Sequence, residues 1–125
     1  MRRVHRLPLD PKPASKLQEF ERDVIVQRGI QGFDPTSYWS ARRRSCALNH
    51  VAKVLGRMAG EHQRCMYCVD SHGTDIEHFW PKSRYPDRMF RWSNLLLCCT
   101  ECGRFKGKCF PLDEQGNPLL IDPSA

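Results

Sequence analysis

Two cysteine pairs constrain this chain more than any other feature. Cys65-Met-Tyr-Cys68 and Cys99-Thr-Glu-Cys102 are both CxxC sequences, and each forms a tight knuckle whose two sulfurs converge on one point about 2.3 Å from each. Four thiolates close a tetrahedral zinc site and leave no position for water or substrate, so such a site is structural. Disulfides or unrelated buried thiols are the alternative. The start, MRRVHRLPLDPKP, has no apolar segment of a secretory signal, which points to a reducing cytoplasm where paired cysteines favour metal. Cys98 is four residues from Cys102 and fits the knuckle less well than Cys99. Cys46, Cys98 and Cys109 read as small core residues.

The staple matters because the chain is short. With 125 residues it forms one domain that buries only about two thirds of its unfolded surface. Hydrophobic residues are 40% of the chain and the mean hydropathy is −0.60, enough for a modest core. The longest apolar stretch, Leu95 to Cys99, is far short of the roughly 20 residues that span a membrane. Twenty Lys and Arg against 14 Asp and Glu leave a net charge of +6, which suits an anionic partner such as nucleic acid.

Three regions follow in order. Residues 1–14 carry three prolines and four basic side chains without periodicity, and predict an extended basic arm, mobile or lying on another surface. Residues 15–60 read as helical. Ser15 with Gln18 resembles a capping box before Leu17, Phe20 and Val24, and predicts a first helix ending near Gly29. Asp34-Pro35 predicts the start of a long second helix whose stripe, Leu48, Val51, Ala52, Leu55, Met58 and Ala59, ends near Gly60. Its other face carries Arg42, Asn49, Lys53 and Arg57, either as a solvated face or as a track for phosphates. Residues 61–125 are broken by glycine and proline and need the cysteine frame.

Thirty residues separate the two knuckles, more than a plain zinc ribbon needs, and chemistry is expected there. The segment holds Glu77-His78-Phe79, Pro81-Lys82-Ser83 and Trp92-Ser93-Asn94-Leu95-Leu96, followed by Cys99-Thr-Glu-Cys102 and Lys106-Gly107. In this order the elements resemble the HNH endonucleases, the zinc-stapled branch of the His-Me finger (ββα-metal) nucleases. The closer resemblance is to HNH proteins of Septu-type and retron-linked anti-phage systems. It covers residues 61–123 well and the N-terminal helices loosely. It implies an α+β fold, with N-terminal helices packed on a zinc-stapled ββα-metal finger, and an activity of metal-dependent DNA hydrolysis. By the same resemblance His78 is the general base, Glu77 binds a catalytic Mg²⁺ or Mn²⁺, Asp75 is an accessory ligand and Asn94 fixes the loop carrying the site. A partner ATPase subunit is implied as well.

The residue chemistry agrees. An imidazole with an ordinary pKa near 6.5 suits proton abstraction at neutral pH, and a carboxylate with waters is the usual holder of Mg²⁺. In a regular strand Glu77 and His78 would face opposite ways; Pro81 makes an early strand end plausible. Lys82, Arg84, Arg104 and Lys106 form the proposed nucleic-acid rim. Trp80, Trp92, Tyr85, Phe90 and Phe105 are assigned to packing rather than base stacking. One departure stands out: relatives carry Asn or His directly after the last zinc cysteine, and this chain has Gly103. A catalytically degenerate finger that binds nucleic acid or a partner protein is therefore the first alternative, and an RNA-directed nuclease the second.

Overall fold

The computed structural model describes residues 1–125 as three N-terminal helices laid against a two-stranded hairpin and a short fourth helix. The first helix, α1, spans Pro11–Gln27 and starts at Asp10-Pro11, ahead of the Ser15–Gln18 pair, because proline is tolerated in the first helical turn. Asp34 caps α2 (Pro35–Arg43), its carboxylate accepting from the Thr36 amide at 3.2 Å and from the Ser37 hydroxyl at 2.7 Å. The long helix expected from Asp34 onward is in fact two. The chain breaks at Arg44, and Ser45 caps α3 (Cys46–Met58) by accepting from the Leu48 amide at 3.3 Å. A serine side chain competing for main-chain donors stops one helix and starts the next.

The apolar stripe lies on α3, where Leu48, Val51, Val54 and Leu55 are fully buried. Asn49, Lys53 and Arg57 face solvent. Arg42 instead lies over the Tyr38 ring at 3.4 Å and pairs with Asp23 at 3.7 Å, which removes it from any phosphate track.

Strand β1 (Asp75–His78) pairs antiparallel with β2 (Leu95–Cys98), with Glu77 opposite Leu96 and His78 opposite Leu95. Gly73 precedes β1 because a Cβ there would stand 2.6 Å from the Leu97 side chain. All four β2 residues are buried, and α4 (Thr100–Lys106) follows at once, giving a β–β–α order. A single cluster of 19 buried apolar residues runs from Val4 to Phe110, so the N-terminal helices and the hairpin share one core. No helix is long and apolar enough to cross a membrane.

The arm is not free. The Val4 amide donates to the Pro123 carbonyl at 2.7 Å. Arg6 donates to the carbonyls of Trp92 and Leu95 at 3.0 and 2.6 Å and to the Ser124 hydroxyl at 2.6 Å. Residues 1–10 thus tie the tail to the turn before β2, and residues 11–14 are already helical. Among the unassigned cysteines Cys98 is buried as expected, whereas Cys46 and Cys109 are exposed. Phe105 is 82% exposed and does not pack; Trp80, Tyr85 and Phe110 form one aromatic group, and Phe20, Trp39 and Phe90 another.

Candidate active site and metal centre

The four knuckle cysteines come together as the spacing predicts. The sulfurs of Cys65, Cys68, Cys99 and Cys102 all lie within 4.8 Å of one another, and Cys68 and Cys99 are 3.9 Å apart. Sulfurs around a zinc ion stand about 3.8 Å apart, so a small contraction seats the ion. Main-chain donors favour the thiolate at Cys68, while burial pushes the Cys102 thiol the other way. The amides of Ser71 and Asp70 bring the Cys68 thiol down to about 6, and the Cys102 amide points at the Cys99 sulfur at 3.4 Å. The four cysteines can hold a metal such as zinc. Val69, next to Cys68, is held at φ 61°, a conformation costly for a β-branched residue.

Across the hairpin, His78 ends β1. The residue is only 4% exposed, and its ring meets the Trp39 ring edge-on with centroids 4.3 Å apart. Nε2 is 3.0 Å from the Met89 carbonyl. A carbonyl only accepts, so Nε2 carries the proton and Nδ1 keeps the lone pair. Nδ1 makes no hydrogen bond within the chain, yet the buried side-chain polar atoms lacking a partner are only the Tyr67 hydroxyl and Glu77 Oε2. His78 lines an adjoining cavity of about 240 Å³ together with Thr36, Glu77, Lys82, Ser83, Gly103 and Lys108 among others. Burial, then the charge of Lys82, push the imidazole down to about 3, against a smaller upward pull from the Met89 carbonyl. The ring is neutral at any physiological pH.

Asn94 holds the loop between the strands. Its Oδ1 accepts from the Trp80 amide at 2.7 Å, and its Nδ2 donates to the carbonyls of Trp80 and Arg88, each at 3.1 Å. The Phe79 amide reaches the Asn94 carbonyl at 2.9 Å. The side chain acts as a piece of backbone joining positions 80, 88 and 94, which sets Met89 where its carbonyl meets His78.

Glu77 escapes the alternation of the strand by curling back. Oε1 accepts from the His78 amide at 2.9 Å, while Oε2 is buried without a hydrogen bond, 3.8 Å from Lys106 Nζ. Burial raises the carboxyl above the usual range and Lys106 opposes the rise. Lys106 also donates to the His78 carbonyl at 3.0 Å. It points inward, with a side chain 9% exposed, and does not stand on the outer rim expected for it. Arg84 and Arg104 are exposed, Arg104 being paired with Glu101 at 3.1 Å, and Lys82 lines the cavity.

The side chains expected to hold a catalytic Mg²⁺ or Mn²⁺ are engaged in other ways. Asp75 is exposed, with Thr74 and Thr100 hydroxyls on its carboxylate. Gly103 offers no donor, and a Cβ there would stand 3.3 Å from the Cys98 sulfur. One oxygen of Glu77 serves the backbone and the other faces an ammonium. Among the His, Cys, Asp and Glu side chains, the four cysteines form the one group of three or more donors close enough to share an ion. The one carboxylate lining the cavity, Glu77, is already engaged by Lys106.

Sequence reasoning missed Trp39, which walls the imidazole, and Met89, which acts through its main chain and so leaves no signal in residue type.

Comparison with known proteins adds one relative. The chain is 37% identical over 58 residues to Septu protein PtuB of Bacillus thuringiensis, a match covering 42% of this chain and 23% of that protein. No family model and no solved structure matches the chain.

Proposed function

We propose that this chain is an HNH-type nuclease of an anti-phage defence system that hydrolyses DNA phosphodiester bonds, with one structural zinc on Cys65, Cys68, Cys99 and Cys102. The observation that carries the reading is the setting of His78, with Nε2 pinned by the Met89 carbonyl and the residue lining a cavity that also bears Lys82 and Lys108. A neutral imidazole accepts a proton without first losing one. In the proposed step Nδ1 takes a proton from a cavity water as that oxygen bonds to phosphorus. The bond from phosphorus to the departing sugar oxygen breaks, and that oxygen takes a proton from another water. Lys82 and Lys108 hold the phosphate and offset its growing charge. Trp39 and the Asn94 staple keep the ring from turning. The similarity to Septu protein PtuB supports the defence role, and the HNH resemblance extends it to an ATPase partner subunit.

A second reading has its own observation. A ring with so little proton affinity is a weak base, and Gly103 lacks the expected side chain; both suit a finger that binds nucleic acid or a partner without cutting. The deciding experiment offers zinc-loaded protein labelled duplex DNA, single-stranded DNA and tRNA, each with and without added Mg²⁺. New ends on DNA support the proposal, and ends on tRNA alone transfer it to RNA. Binding without any cleavage, with the ATPase partner present or absent, leaves the adaptor.

A further inference from the structure

We propose that the ammonium of Lys106 takes the place of a divalent cation on Glu77, so that the cavity beside His78 carries its positive charge without a second metal ion. The oxygens around Nζ are a carboxylate, 3.8 Å away, and the His78 main-chain carbonyl, 3.0 Å away. These are the hard oxygen donors that Mg²⁺ or Mn²⁺ would seek. Glu77 and Lys106 side chains are 14% and 9% exposed, and Oε2 has no hydrogen-bond partner. A buried carboxylate needs a compensating charge, and the last turn of α4 supplies it from within the chain.

The same arrangement accounts for Gly103, which lies one helical turn before Lys106 on α4. With the cation built in, position 103 has nothing to ligate. A side chain there would also crowd the Cys98 sulfur, 3.3 Å from the Cβ position. Glu77 and Lys106 cancel as a pair, leaving Lys82 and Lys108 to present net positive charge to an anion in the cavity. That consequence for catalysis rests on the nuclease reading; the placement of the cation does not.

The test is a Mn²⁺ titration of zinc-loaded protein, following free Mn²⁺ by electron paramagnetic resonance. Wild type and Glu77→Gln should titrate alike, because neither holds Mn²⁺ at this place. Lys106→Ala and Lys106→Gln should each gain one Mn²⁺ site that wild type lacks, and lose it when combined with Glu77→Gln. Mn²⁺ binding by wild type that Glu77→Gln abolishes would overturn the proposal, as would folded Lys106 variants that both fail to gain a site. If neither Lys106 variant folds, the comparison of wild type with Glu77→Gln decides. A wild type that holds no Mn²⁺ here and cleaves no nucleic acid would sink the nuclease reading and leave this one standing.

Discussion

Replacing Asn94 by alanine should do more damage than any other single change in the loop that carries the site. The substitution removes three hydrogen bonds, to the Trp80 amide and to the carbonyls of Trp80 and Arg88, at a residue only 4% exposed. Each bond contributes about 1 kcal/mol net, and a buried group left unpaired costs about 1–3 kcal/mol. Water can reach part of the loop, so the expected loss is about 3–5 kcal/mol, a large share of the roughly 5–15 kcal/mol of a small domain. Urea unfolding of zinc-loaded protein, followed by tryptophan fluorescence, reads it directly. At a slope of about 1.5 kcal/mol/M the midpoint should fall by about 2–3 M. Asn94→Asp should be no better, because it keeps the Trp80 amide bond but sets a carboxylate against two carbonyls. A fall of less than about 0.5 M in both variants would show that the loop does not depend on this side chain.

Three further outcomes follow from the same geometry. Purified protein should contain about one zinc per chain, and a strong chelator should unfold the finger, seen as loss of ordered tryptophan signal; full stability in the metal-free chain would refute the four-cysteine centre. Because His78 is held down at about 3 in the fold against about 6.5 when unfolded, the unfolded chain binds the extra proton between these values. Its contribution is intact above pH 6.5 and is lost on acidification at up to about 1.4 kcal/mol per pH unit. His78→Gln should flatten that part of the stability profile relative to wild type, and parallel profiles would mean the ring is not so buried. Val69→Gly should raise stability by about 1 kcal/mol in urea unfolding, by relieving the φ of 61°, net of the entropy glycine adds to the unfolded chain; a loss would show that the knuckle is not strained.

Much of the finger was legible because its determinants are local. CxxC spacing places two sulfurs by itself, so the four-cysteine cluster follows from short stretches of sequence, and Pro81 limits how far β1 can run. The helical region was less so. Asp10-Pro11 carries the same signal as Asp34-Pro35, yet the prolines around it read as an arm, and the Ser45 cap lay within the single long helix read from Asp34 onward. The site itself depends on what short-range reading does not contain. Lys106 turns inward because a buried carboxylate lies across the hairpin, not because of its neighbours in sequence. The Met89 carbonyl belongs to the main chain, and the Arg6 anchor joins residues nearly ninety positions apart.

The most direct measurement on the proposed chemistry is single-turnover cleavage of a labelled DNA duplex by wild type and His78→Ala, matched for zinc content and for urea midpoint. Removal of a positioned general base should slow cleavage by about 10²–10⁴-fold while leaving duplex affinity in place. Equal rates in the two proteins would contradict the assignment of His78 and, with it, the mechanism built on the imidazole.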